Sequence, residues 1–113
     1  MRTITLDVAS LPDVTRRALD AFKGKKRGAR ISFATPELLW KVLTAKRWEV
    51  IKTMAGQGPL TIREVARRVE RDVKAVHGDI QALLKAGVLD RTKTGQVVFP
   101  FDTMRVEFTL RAA

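Results

Sequence analysis

Between residues 61 and 87 the chain reads TIREVARRVERDVKAVHGDIQALLKAG, and its apolar positions recur at helical spacing twice in succession. Ile62, Val65, Ala66 and Val69 share one face of a first helix. Val73, Val76, Ile80, Leu83 and Leu84 fall within one arc of a second. Thr61 stands three residues before Glu64, the spacing of a capping box, and Gly87 closes the second helix. Asp72 is a candidate cap between them. So few residues separate the two patterns that the spacing predicts a helix-turn-helix, with Glu70 where a small or polar turn residue is expected.

Upstream, Leu11, Val14, Ala18, Leu19 and Phe22 trace a helical stripe that Ser10 can cap and that ends before Gly24. Residues 23–30, KGKKRGAR, then read as a flexible basic linker, and residues 30–34 as a brief strand around Ile31 and Phe33. Thr35, Pro36 and Glu37 start another helix, whose apolar face is Leu38, Leu39, Val42 and Leu43. Thr44 offers a second cap, so the pattern through Trp48, Val50, Ile51 and Met54 is either one helix or two before the breaker GQGP at residues 56–59. Past Gly87 the period changes to alternation. Residues 88–92 and 97–101 predict a β-hairpin about a turn at 93–96. A third strand follows, with Met104, Val106, Phe108 and Leu110 on one face and Arg105, Glu107, Thr109 and Arg111 on the other.

The expected fold is α+β and mainly α: a basic N-terminal arm over residues 1–34, and a unit over residues 35–113 holding the helices, the hairpin and an extra strand. At 113 residues there is material for one core. Hydrophobic residues at 45% and charged residues at 30% exclude a disordered chain, and no apolar run approaches the length of a membrane helix. The absence of cysteine removes disulfides, thiolate chemistry and cysteine-based zinc sites. No secretory leader is visible, which makes the cytoplasm the expected compartment.

Charge sharpens this picture. Twenty-two Lys and Arg against twelve Asp and Glu leave a net charge of +10, which suits a polyanionic partner. The segment through Thr35 carries eight of those cations against three Asp, half of the surplus. On the second helix of the pair, the side opposite the apolar arc presents Arg71, Lys74, Ala75, Gly78, Gln81, Ala82 and Lys85. Cations there can meet phosphates or guanine edges, and the small residues let a helix backbone lie deep in a major groove. Lys74 and Gln81 are the candidates for base edges; Arg71, near the helix N-terminus, suits a phosphate. Gly78 inside a helix costs about 1 kcal/mol relative to alanine, which predicts a close approach there by DNA or by the preceding helix.

Arg63, Arg67 and Arg68 on the first helix of the pair suit either phosphate clamping or a salt-bridged face. Lys93 at the hairpin tip is placed to reach a neighbouring groove, and Arg91 either joins it or pairs with Asp90. Asp79 is expected to pair with an arginine or else to accept from cytosine. His77, the single histidine, sits at the margin of the apolar arc and is expected to pack against neighbouring helices. Trp40 and Trp48 are expected in the core or at a dimer contact. No nucleophile, base and orienter gather in the sequence, so no enzyme, cofactor or metal is expected.

The order helix, helix-turn-helix, hairpin is that of a winged helix. Residues 43–51, LTAKRWEVI, look like the first helix of MarR-like and ArsR-like bacterial regulators, and residues 76–89, VHGDIQALLKAGVL, resemble their recognition helix with its closing turn. Residues 64–79, EVARRVERDVKAVHGD, are similar to small prokaryotic predicted transcriptional regulators that are often associated with toxin genes. The resemblance spans roughly residues 35–110. It implies a sequence-specific DNA-binding regulator, repressor or autoregulatory antitoxin, acting on double-stranded DNA as a homodimer and in the antitoxin case binding a cognate toxin. A protein-interaction module with DNA binding secondary is the rival expectation. Because a minimal winged helix needs neither the N-terminal helix nor the flanking strands, their apolar faces are the expected dimer surface: Leu11, Val14, Ala18, Leu19 and Phe22 with Ile31 and Phe33.

Overall fold

Residues 3–8, TITLDV, form the strand β1 (Thr3–Val8), and every residue from Ile4 to Asp7 is buried. A strand covered on both faces belongs at the middle of a sheet. In the computed structural model, which describes residues 2–9, 29–110 and 112, β1 lies between β2 (Ala29–Phe33) and a strand near the C-terminus, β5 (Thr103–Glu107), in the order β2-β1-β5. Both pairings are parallel, with Leu6 opposite Ile31 on one side and Val106 on the other. Ile4 and Leu6 join the hydrophobic core. Asp7, on the other face, accepts from Ser32 Oγ at 2.7 Å and pairs with Arg30. The Arg2 amide donates to Asp102 Oδ2 at 2.7 Å, pinning the starts of β1 and β5 together.

The segment between β2 and the hairpin is helical, and its side-chain caps fall where the sequence puts them. Thr35 Oγ1 accepts from the Leu38 amide at 3.2 Å to open α1 (Pro36–Val42), with Pro36 in the first turn. Thr44 Oγ1 accepts from the Arg47 amide at 3.2 Å and starts α2 (Ala45–Met54), so the stretch is two helices broken at Leu43. Thr61 opens α3 (Ile62–Val69) by accepting from the Glu64 amide at 3.1 Å. Asp72 Oδ2 accepts from the Lys74 and Ala75 amides at the start of α4 (Val73–Ala86), which ends at Gly87 with φ 90°. A two-residue strand pair follows: β3 (Asp90–Arg91) antiparallel to β4 (Val97–Val98). Leu60 adds a bridge to Val97, each amide donating to the other's carbonyl at 2.8 Å.

Val50, Met54, Val65, Val76, Ile80, Leu83 and Leu89 meet Ile4, Leu6 and Leu39 in one core cluster. The protein is therefore α+β, with four helices among the described residues. Several expectations need correction. The segment expected as a basic arm contributes β1 and β2 to this shared core. The hairpin strands are shorter than residues 88–92 and 97–101, and the extra strand pairs parallel with β1, apart from the hairpin. Val73 is 40% exposed; it is the first residue of α4, ahead of the turns that bury Val76 and Ile80. Trp40 and Trp48 are also exposed and sit outside the core; Trp40 meets Phe108 edge-to-face instead, ring centroids 5.7 Å apart. Ile31 and Phe33 are half-buried against this protein's own core, so most of their apolar surface is already used. Leu11, Val14, Ala18, Leu19 and Phe22 lie outside the described residues.

The joint between α3 and α4 is Glu70, the single non-glycine residue with positive φ among those described, at φ 56° and ψ 46°. Its amide donates to the Arg67 carbonyl at 3.2 Å, the bond of a left-handed helix cap normally given to glycine. An L-residue in that conformation costs about 1–2 kcal/mol, and the carboxylate adds a negative charge at the negative end of α3. Part of that gain is offset by the freer unfolded chain of a glycine variant. Glu70→Gly is expected to raise the thermal midpoint by roughly 2–6 °C, measured by circular dichroism; a lowered midpoint would show that the side chain stabilises the turn.

Candidate nucleic-acid interface

Helix α4 buries Val76, Ile80 and Leu83, which fixes what its opposite side presents. Lys74, Gly78, Gln81 and Lys85 follow one another at intervals of four, three and four residues and are all exposed. Ala75 is exposed on their flank, and Ala82 is half-buried. Among the described residues, nothing apart from its chain neighbours and the backbone of α4 itself lies within 4 Å of where a Cβ on Gly78 would sit. The close approach expected from α3 is therefore not made, and Gly78 marks a place where the helix backbone lies open to solvent. His77 also differs from expectation. It is exposed, and its Nε2 lies 3.4 Å from the Gln81 side-chain amide, one turn along the same outer side. Its position at the margin of the apolar arc left both placements open, and in the structure it faces solvent.

Arg71 is not on this surface. Its Nη2 lies 2.8 Å from Asp79 Oδ2, off the line of a hydrogen bond, and its side chain is only 23% exposed. Arg71, the expected phosphate contact, is held in an internal ion pair. Asp79 does pair with arginine, and with two of them: Arg47 Nε on α2 donates to Oδ1 at 3.1 Å. Arg47 further donates through Nη1 to the carbonyls of Lys41 and Val42, each at 3.0 Å, which ties the end of α1 to α2 and α4. Arg47 escaped sequence reading because its partner stands thirty-two positions away.

On α3, Arg67 Nε donates to Glu64 Oε1 at 2.8 Å, and Arg68 Nε to Oε2 at 2.7 Å. These hydrogen bonds, Arg67 first, hold the Glu64 carboxyl down at about 2, against a smaller upward push from desolvation. Arg68 also reaches Gln57 at 3.0 Å. For these two arginines the salt-bridged reading describes the geometry, whereas exposed Arg63 has no side-chain partner among the described residues. In the hairpin, Arg91 turns back to the Gly95 carbonyl at 3.3 Å, away from Asp90, and leaves Lys93 exposed at the turn. The turn itself is tied by the Thr92 amide donating to the Gln96 carbonyl at 2.8 Å.

The solvent side of α4 is thus a row of two ammonium groups, an amide and a bare backbone, held on a helix whose other side is locked into the core. A family model, HVO_A0114, matches residues 42–106. The chain belongs to the HVO_A0114 family. No curated protein and no solved structure matches it. The span matched by HVO_A0114 takes in α2, α3, α4, the hairpin and β5 up to Val106, while β1 and β2 lie outside it. In this HVO_A0114 chain no three His, Cys, Asp or Glu side chains among the described residues gather as a metal site, and no described helix is long and apolar enough to cross a membrane.

Proposed function

We propose that this protein is a sequence-specific DNA-binding transcriptional regulator of the winged helix-turn-helix type, similar to MarR-like and ArsR-like proteins. In that role α4 is the recognition helix, α3 positions it, and the β3–β4 hairpin is the wing. The observation that carries the reading is the open backbone at Gly78, flanked by Lys74, Gln81 and Lys85 on the exposed side of α4. A helix with a bare strip between donor groups fits a major groove, where glutamine can pair with adenine and lysine with guanine or phosphate. The net charge of +10 supplies the long-range attraction. Acting as a dimer on a two-fold operator, the protein would repress by occupying the site; an autoregulatory antitoxin would add a cognate toxin as protein partner.

Site selection from random duplex DNA at two salt concentrations tests the reading. An enriched motif should emerge at both. Gln81→Ala is then expected to relax the choice of base at one position, with a loss of about 1–3 kcal/mol, and Lys74→Ala to weaken binding and flatten its salt dependence. No enrichment, or unchanged affinity when Lys74→Ala and Gln81→Ala are combined, overturns it.

A further inference from the structure

The sheet ends at β5, and no described strand pairs with its outer edge. Thr103 points its amide at the Arg2 carbonyl, 3.2 Å away at the start of β1. Alternate residues of a strand direct their backbone groups to opposite sides, so Arg105 and Glu107 also face β1, while Met104 and Val106 present N–H and C=O outward. That edge is accessible, with Val106 38% and Phe108 42% exposed, and Trp40 extends the apolar surface beside Phe108. An exposed edge of this kind is a template for another strand.

The residue order of β5 is complementary to itself. With a second copy running antiparallel and Val106 on the two-fold axis, Arg105 meets Glu107 of the second copy and Met104 meets its Phe108. The residues with outward backbone groups are then the ones that exchange hydrogen bonds. Arg105 and Glu107 fall in the alternate pairs, where side chains approach most closely. Moving the axis to Arg105 or Glu107 would oppose like charges. We propose that β5 pairs with β5 of a second copy of this chain about an axis through Val106, joining two three-stranded sheets into one of six strands. The Arg105 Nε to Glu107 Oε2 contact within one strand, 2.9 Å, is exchanged for two such contacts between copies.

Sedimentation velocity on the full chain, without nucleic acid, tests this independently of the DNA-binding reading. The wild-type protein should sediment at twice 12.7 kDa. R105E opposes two glutamate pairs and should raise the dimer dissociation constant at least tenfold, and R105E/E107R should restore it. R105E gives up the intrastrand pair of an arginine that is 70% exposed, and the double variant also gives up the 3.6 Å Arg30–Glu107 pair while Arg30 keeps Asp7, so each loses only surface ion pairs of small weight in the fold. V106P removes one outward N–H and leaves the ladder to β1 intact; it should yield monomers with unchanged far-UV circular dichroism. A monomeric wild type, a dimer that survives R105E and V106P, or a charge swap that fails to restore association overturns the proposal.

Discussion

Asp79→Ala is expected to destabilise the fold by about 2–3 kcal/mol, seen as a lower urea midpoint with an unchanged slope. The carboxylate is 16% exposed and lies between Arg47, at 21%, and Arg71, at 23%. Removing one member of a fully buried ion pair costs about 3–5 kcal/mol, because the remaining charge is left without compensation, and partial exposure reduces that figure here. Arg71 Nη1 already has no hydrogen-bond acceptor, so alanine at position 79 would strand the whole guanidinium. Arg47 would keep only its two carbonyl acceptors at the end of α1. Asp79→Asn, which retains an acceptor for Arg47, should lose roughly half as much. A loss under about 0.5 kcal/mol would mean that the cluster is not an organising contact. A changed base preference with stability intact would instead assign Asp79 to cytosine readout.

Gly78→Leu is expected to separate stability from binding. Leucine forms helix better than glycine by nearly 1 kcal/mol, and the position has open space around it, so the fold should become more stable. On the DNA-binding reading the same side chain would occupy the gap between helix and groove, lowering affinity for the selected site at least tenfold, about 1.4 kcal/mol. Thermal unfolding and fluorescence anisotropy measure the two effects on one sample. Higher stability with undiminished affinity would show that the α4 backbone stays clear of DNA.

Local signals were legible wherever a side chain acts on its own turn of backbone. Thr35, Thr44, Thr61 and Asp72 all cap the helices expected of them, and Thr44 decides between one helix and two. The apolar arcs of α3 and α4 were readable because a helix writes its buried face at a fixed period. What escaped depends on distant partners. β1 alternates Ile4 and Leu6 with Thr5 and Asp7, the pattern of a strand wet on one side, yet Asp7 is buried because Arg30 and Ser32 arrive from β2. Arg71 looked like a phosphate contact on the helical wheel, which carries no record of Arg47 and Asp79 gathering beside it. His77 lay at the margin of the arc, where a small rotation of α4 decides between core and solvent, and Val73 lies within the arc but in the first turn of the helix. The solvent row of Lys74, Gly78, Gln81 and Lys85 was legible for the same reason as the core: it is what remains when the buried face is fixed.

The pairing of Thr3 with Thr103 sets an order of events during synthesis. β1 leaves the ribosome ahead of α1 to α4, but one of its two neighbours is made a hundred residues later. Until then Ile4 and Leu6 are hydrophobic side chains beside an unfilled edge, while α1 to α4 can already form by local contacts. Closing so long a loop is slow relative to helix formation, so the helical part should acquire structure first and the sheet should complete the core in the last step. A chain halted before residue 103 would carry the α4 surface without the strand that seals the molecule, and would expose β1 to chaperones or to aggregation.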